Sequence, residues 1–176
     1  MIITISGKQG AGKTVLAKNL SKKFNYEFIS IGDLRGTIAK EHNMTIDELN
    51  EVGKKDKWVH TKADEKTIEI GKTKDNFIIE GWIAGHFIPH SKKIFLDVDP
   101  EVGAKRIFKN QRPDEKPCET VDEMRSLLKE RLETTDAQFQ RYYGIKFLDK
   151  SNYDIVIDST NLSIEEMVKT AIDKLK

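Results

Sequence analysis

Hydrophobic residues along the chain fall into five short runs, and the segments between them carry apolar residues at helical spacing instead. The runs cover residues 2–5, 26–32, 76–82, 93–99 and 153–159 and are rich in isoleucine, valine and phenylalanine, which favour strands. After the first run, Leu16, Leu20 and Phe24 recur at four-residue intervals and so share one face of a helix. Strands that alternate with helices predict an α/β fold with a five-stranded parallel sheet, flanked by helices and joined by right-handed crossovers.

Polar residues at fixed spacings mark where several of the helices begin. Three pairs have serine or threonine followed three positions later by glutamate, the spacing of a capping box: Thr45 and Glu48, Thr120 and Glu123, Ser163 and Glu166. Asp99 followed by Pro100 marks a further helix start, with proline at the first helical position. Residues 36–72 are far too many for a plain connection of about 4–6 residues, so we predict two or three small helices there.

A glycine-rich motif follows the first apolar run and opens the first helix. It fits the pattern G-x-x-x-x-G-K-[ST] over eight consecutive residues: Gly7, Lys8, Gln9, Gly10, Ala11, Gly12, Lys13 and Thr14. The glycines let successive N–H groups converge on phosphate oxygens, Lys13 is placed to reach the β- and γ-phosphates, and the Thr14 hydroxyl is placed to bind Mg²⁺. The alternative is a strand-to-helix turn that binds nothing, but the pattern arises by chance in under ~1% of chains this long.

Charged residues stand where the second and third predicted strands end. Asp33 and Arg35 follow the second run, and Glu80 closes the third, directly before Gly81. Ligands of open α/β sheets collect at the carboxyl ends of the strands, so Asp33 and Arg35 are either substrate contacts or part of a surface turn. With a phosphate loop beside it, a carboxylate at the Glu80 position is predicted to hold Mg²⁺ or its water shell.

Length and composition are typical of a single globular domain of ordinary size. The chain has 176 residues, 38% of them hydrophobic and 34% charged, with a net charge of +1 that exerts no general pull on nucleic acid or membranes. No apolar run approaches the ~20 residues that cross a bilayer, and the first strand leaves no room for a signal peptide. A single cysteine, Cys118, fits a reducing cytoplasm. We therefore expect a cytoplasmic monomer with a small-molecule substrate, and neither a membrane nor a nucleic acid polymer as partner.

Taken in order, the motifs resemble those of nucleoside monophosphate kinases. The matching segments are the phosphate loop, residues 30–35, 79–81 and 93–97, and the helices that carry Arg106 and Arg131. The likeness covers essentially the whole chain and is closest to the archaeal-type cytidylate kinases. It implies a three-layer P-loop NTPase fold: a core of residues 1–35, 73–107 and 123–176, a helical acceptor-binding insert at 36–72, and a short lid at 108–122.

The resemblance also implies a reaction and a role for each matching residue. The reaction is in-line transfer of the γ-phosphoryl group of ATP, with Mg²⁺, to an acceptor phosphate. Candidates for stabilising the transferred group are Arg106, Arg112 and Arg131, and Arg106 alternatively lies over the adenine. Asp33 and Glu80 hold the water shell of Mg²⁺, or Asp33 orients the acceptor. The predicted acceptor contacts are Asp33, Arg35, Asp64, Gly81, Trp82 and Gln138.

Three positions depart from the family pattern by lacking an arginine. Trp82, Gln138 and Gly36 stand where relatives commonly carry one, and neither tryptophan nor glutamine supplies a charged phosphate clamp. Arg35, with Lys62, is left to hold the acceptor phosphate. Trp82 either stacks on a flat acceptor or packs in the core.

These departures leave three functional hypotheses. The first is a kinase of nucleoside monophosphates, with CMP or dCMP as acceptor. The second is a P-loop kinase of another small molecule with a hydroxyl acceptor, for which Asp33 is the best-placed general base. The third is a nucleotide-binding protein without efficient turnover, which is disfavoured because the residues expected for catalysis all remain: Lys13, Thr14, Glu80, Arg106 and Arg131.

Overall fold

The computed structural model describes residues 1–111 and 117–176 and shows one parallel sheet covered by helices on both faces. The five strands are β1 (Ile3–Gly7), β2 (Glu27–Ser30), β3 (Phe77–Glu80), β4 (Lys92–Asp97) and β5 (Ile155–Asp158). They lie in the order β2-β3-β1-β4-β5, and every neighbouring pair is parallel. The predicted five-stranded parallel sheet is confirmed, and it places the strand that precedes the glycine-rich motif at the centre.

Eight helices join and cover these strands within the described residues. They are α1 (Lys13–Phe24), α2 (Ile31–Glu41), α3 (Ile46–Lys55), α4 (Trp58–Thr73), α5 (Ala84–Phe87), α6 (Pro100–Phe108), α7 (Val121–Tyr143) and α8 (Ile164–Leu175). A 3₁₀ turn at Lys150–Asn152 precedes β5. Over the described part of the chain, no helix is both long and apolar enough to cross a membrane.

The two faces of β1 bury different sets of side chains. Ile3 and Ile5 are fully buried against α1 and α8, where Leu16 and Leu20 complete the contact predicted from their spacing. The opposite face of the sheet packs against α5 and α7 and contributes Phe95 to an aromatic cluster. Because both faces are covered, the strands are nearly continuous apolar runs, which is why the sequence marks them clearly.

The second strand is shorter than its apolar run predicts. It ends at Ser30, whose hydroxyl accepts a hydrogen bond from the Asp33 backbone N–H at 3.3 Å and so caps α2. The prediction that residues 26–32 form a strand is therefore wrong for its last two residues. Asp33 and Arg35 therefore lie in the first turns of a helix. The Ser30 cap favours the helix here because it satisfies one of the backbone N–H groups that have no partner within the first turn.

Two of the three predicted capping boxes are complete, and the third is altered. At Thr45 and at Ser163 the side chain and the following glutamate bond reciprocally to each other's backbone. At Thr120 the hydroxyl accepts from the Glu123 backbone, but the Glu123 carboxylate accepts from the backbone of Glu119 at 2.8 Å instead. The helix starts where predicted in all three cases.

Helices α2, α3 and α4 form a small layer of their own beyond the sheet edge. They share a cluster of fully or nearly fully buried residues: Ile38, Ala39, Leu49, Val59 and Ala63. Helices therefore fill residues 36–72 as predicted, although α2 already begins at Ile31. Between α6 and α7, the Gln111 side chain pairs with the Cys118 backbone through two hydrogen bonds of 2.7 and 2.9 Å.

Candidate active site

The loop between β1 and α1 is shaped by backbone contacts that admit only glycine at two positions. A Cβ on Gly7 would lie 2.1 Å from the Leu96 carbonyl oxygen, and one on Gly10 would lie 2.4 Å from that of Gly103. Both residues also have positive φ angles, 141° and 76°. The loop is thus pressed against β4 and α6, and its N–H groups and the start of α1 form a cradle of the kind that binds phosphate.

Lys13 folds back over this loop. Its Nζ donates to the carbonyl oxygens of Gly7 at 2.9 Å and of Lys8 at 2.8 Å, and it lies 5.5 Å from the ring centre of Trp82. An ammonium group in the loop is the charge that a bound polyphosphate requires, and two carbonyls and a ring face hold it there. Lys13 and the loop residues predicted to bind nucleotide therefore form one compact group.

Thr14, Ser30 and Glu80 form a cluster of oxygen atoms beside Lys13. The Thr14 hydroxyl donates to the Glu80 carboxylate at 2.9 Å, and the Ser30 hydroxyl reaches Glu80 Oε1 at 3.0 Å. Glu80 is only 8% exposed and lies at the carboxyl end of β3, next to β1. Hard oxygen donors of this kind suit Mg²⁺, so the residues fit the predicted ion. Within the described residues, no group of three or more carboxylate, histidine or cysteine side chains gathers to hold a metal ion.

Arg106 lies behind the loop. Its guanidinium donates to the carbonyl oxygens of Gly10 (3.3 Å), Ser159 (2.9 Å) and Thr160 (3.2 Å), and to the Ser159 hydroxyl (3.3 Å). It therefore ties the loop to the segment between β5 and α8. Its two predicted roles, at the transferred group or over the adenine, both stay predictions.

One of the other two arginines predicted at the transfer site lies on α7. Arg131 is half-buried on α7, and Gln138 follows it two turns later, also half-buried. Arg112 lies outside the described residues. Their predicted roles therefore stay predictions.

A group of ion pairs borders the glycine-rich loop and was not predicted from the sequence. Asp97, at the end of β4, accepts from Lys8 Nζ at 2.7 Å and from Lys150 Nζ at 2.6 Å. Burial acts to raise the pKa of Asp97, but the hydrogen bonds from Lys150 and Lys8 outweigh it, and the pKa lies below its usual value. A small cavity of about 380 Å³ opens beside this group. Lys8 sits inside the predicted motif, but no sequence spacing links it to Lys150.

Arg35 points into the helical layer. It donates to Asn50 Oδ1 on α3 at 2.8 Å, and burial lowers its pKa, partly offset by the charge of Asp64. Among the described residues this is its one hydrogen bond, although a guanidinium carries five donors. Lys62, the other cation predicted at the acceptor phosphate, donates to His42 Nε2 at 3.0 Å and lies over the Trp58 ring.

Asp64 and Tyr143 meet next to Arg35. The Tyr143 hydroxyl, at the end of α7, donates a short hydrogen bond to Asp64 Oδ2 on α4. Burial raises the pKa of Asp64 to about 6, against the lowering effects of Tyr143 and Arg35. His60 lies nearby and donates through Nε2 to the Gly53 carbonyl at 3.2 Å; burial and the charge of Arg35 lower its pKa, which keeps it neutral. Asn50 and Tyr143 were not predicted as site residues, because no short-range motif links them to Arg35 and Asp64 in the sequence.

Trp82 and Gly81 lie between the loop and the aromatic cluster. The Trp82 indole meets Phe147 edge-to-face at 5.2 Å between ring centres, and its ring also faces Lys13. A Cβ on Gly81 would meet Ile31 at 2.5 Å, so glycine is needed for close packing there. Trp82 was predicted either to stack on a flat acceptor or to pack in the core. Its contact with Phe147 is packing of the second kind. Asp33 is exposed in the first turn of α2.

Comparison with known proteins identifies the family to which the chain belongs. Residues 2–161 match the cytidylate kinase-like family. The chain is 34% identical to the cytidylate kinase of Sulfurisphaera tokodaii, over 96% of this chain and 92% of that one. It is 31% identical to the cytidylate kinase of Methanocorpusculum labreanum, over 95% and 92% of the two chains. The shikimate kinase of Bacteroides thetaiotaomicron has the same fold, with a TM-score of 0.70, 21% identity and 99% and 98% coverage. The chain therefore belongs to the cytidylate kinase-like family of nucleotide kinases, on a P-loop kinase fold.

Proposed function

We propose that this protein transfers the γ-phosphoryl group of ATP to the phosphate of CMP or dCMP, giving ADP and the nucleoside diphosphate. The observation that carries the proposal is that Arg35, on α2, and Asp64, on α4 and held by Tyr143, are both half-buried in the helical layer and lie close enough for the charge of each to shift the pKa of the other. Cytosine presents an amino donor beside ring nitrogen and carbonyl acceptors. A carboxylate next to a guanidinium offers the complementary acceptor and donors.

The position of Arg35 changes the role proposed for it. In the family pattern the arginine follows the aspartate of this motif by three residues, but here Gly36 takes that place and Arg35 stands one residue earlier. One residue turns a helical side chain by about 100°, and this one bonds Asn50 on α3. We therefore assign Arg35 to the base rather than to the acceptor phosphate.

The donor side is supplied by the loop, Lys13, Thr14 and Glu80. Loop N–H groups and the Lys13 ammonium bind the polyphosphate and balance the charge that moves to the leaving ADP. When bound through Thr14 and Glu80, Mg²⁺ supplies further positive charge at the β- and γ-phosphates. An oxygen of the CMP phosphate forms the new bond to the γ-phosphorus as the bond to ADP breaks. That oxygen is already ionised, so this acceptor needs no general base.

A coupled assay of ADP release tests this function directly. With Mg-ATP we expect turnover with CMP or dCMP far above UMP, AMP, GMP and a blank without acceptor. Turnover at blank level with every nucleotide would overturn the proposal. Hydroxyl acceptors without phosphate, for which exposed Asp33 would have to act as base, are then the next to test.

Glu80→Gln is expected to lower kcat about 10²-fold and to shift the Mg²⁺ dependence to higher concentration, because the neutral amide binds the ion weakly. The shape of the side chain is kept, and amide and carboxylate oxygens both accept from Thr14 and Ser30. The measurement is a magnesium titration of kcat. Glu27→Gln, at the exposed start of β2 and paired with Lys74, serves as the matched control and should leave the titration unchanged. An unaltered titration in Glu80→Gln would remove Glu80 from the metal site.

A further inference from the structure

Tyr143 is held rigidly where α7 ends. Its ring meets Phe87 at 5.5 Å and Phe139 at 6.2 Å between ring centres, and His86 at 6.1 Å. Lys57 Nζ lies 5.6 Å from the ring centre on another side. Directly after it, Gly144 ends the helix with a φ of 70°. These contacts pack the ring where its hydroxyl bonds Asp64.

The Tyr143 hydroxyl bonds only one of the two oxygens of the Asp64 carboxylate. Oδ2 accepts from Tyr143, while Oδ1 makes no hydrogen bond to a described residue. A carboxylate oxygen that is half-buried and lacks a protein donor is one that a ligand donor can satisfy. The fixed Oδ2 also prevents the carboxylate from rotating to present a different edge.

Building on the proposed function, we infer that Tyr143 is a positioning residue for base discrimination. Its hydroxyl fixes Asp64 with one oxygen directed to the exocyclic amino group of cytosine, so an acceptor base with a carbonyl at that position, such as uracil, is rejected. The rejection arises because two oxygen acceptors would face each other without a proton between them. Tyr143 itself need not touch the base.

The charge of Asp64 governs this discrimination, and several groups act on it. Burial raises its pKa to about 6, Tyr143, Arg35 and Lys57 lower it, and Glu65 raises it. His60 on α4 and His86 on α5 complete the titratable surroundings; burial lowers the pKa of both, which keeps them neutral near pH 7. Protonated Asp64 would donate to a carbonyl, so selectivity for cytosine should fall as the pH drops through about 6. Without the Tyr143 hydroxyl the pKa of Asp64 rises further, and this loss should begin at higher pH.

Tyr143→Phe with Tyr142→Phe as control tests the inference. The readout is the ratio of kcat/KM for CMP to that for UMP, measured on either side of pH about 6. The ratio cancels the ionisation of the acceptor phosphate and any change in ATP binding. We expect Tyr143→Phe to lower the ratio about 10-fold at pH 7 and to move its pH midpoint upward. Tyr142, which packs on His60 and does not bond Asp64, should leave both unchanged when replaced.

A second variant keeps the test decisive if Tyr143→Phe folds poorly. Asp64→Asn keeps the shape, can donate to a carbonyl, and should lower the ratio at least 100-fold and remove its dependence on pH. An unchanged ratio in a folded Tyr143→Phe variant, or in Asp64→Asn, would overturn the inference. If the wild-type protein turned over neither nucleotide, the proposed function would fail. The discrimination in equilibrium binding of CMP and UMP would then decide the role of Tyr143 separately.

Discussion

Replacing Lys13 by methionine is expected to lower kcat for phosphoryl transfer about 10³-fold. The Lys13 ammonium folds back over the loop and is held by the carbonyls of Gly7 and Lys8 and by the Trp82 ring. Methionine keeps most of the apolar stem but removes the charge that a bound polyphosphate requires. Steady-state turnover with Mg-ATP and the best nucleotide acceptor measures the effect, and a thermal melt verifies that the fold is kept.

Lys22→Met provides the matched control, since Lys22 is exposed in the last turn of the same helix. It should retain wild-type turnover, so any general effect of removing a lysine from α1 is excluded. Turnover of Lys13→Met within 10-fold of wild type would mean that the polyphosphate is not bound at this loop. The assignment of every donor-side residue would then have to be withdrawn.

The fold could be predicted largely from the sequence, because its elements have strong local marks. A strand buried on both faces is a continuous apolar run, and helix starts at Thr45 and Ser163 have complete capping boxes. The prediction was wrong at the end of β2, where the apolar run continues through Ile31 although the strand stops at Ser30. There a single side-chain cap decided between two structures that the apolar pattern could not separate.

The donor half of the candidate site was predictable because it is contiguous in the chain. The loop, Lys13 and Thr14 fall within eight residues, and Glu80 ends the strand next to β1. The acceptor half was only partly predictable, because it is assembled from α2, α3, α4 and α7. Asp64 and Tyr143 are 79 residues apart, and only the packing of α7 on the helical layer brings them together.

The missing arginines have a structural counterpart at Trp82. At the position where the resemblance led us to expect an arginine, this protein has an indole whose ring faces Lys13 and meets Phe147 edge-to-face. The indole adds no charge, but it links the position of the donor-side ammonium to the packing of the aromatic cluster. Damage to that cluster should therefore affect both stability and catalysis.

Phe147→Ala is the strongest test of that link. Phe147 is fully buried and contacts Trp82, Phe95 and Phe139 at ring-centre distances of 5.2 to 6.4 Å. Removing its ring leaves a cavity, and the free energy of unfolding should fall by about 3–5 kcal/mol. Urea unfolding with an unchanged m-value measures this loss. Because Trp82 loses its support, kcat at a temperature where the variant is fully folded should also fall.

Phe24→Ala separates the two effects. Phe24 is half-buried at the end of α1, against the other face of the sheet, and its ring contacts Tyr26 at 5.7 Å. Its loss should cost only ~1 kcal/mol and leave kcat unchanged, since Phe24 and Lys13 stand at opposite ends of the 12-residue helix α1. If Phe147→Ala lost stability but kept its full kcat, the indole would be packing alone, and Lys13 would be positioned by the loop carbonyls without it.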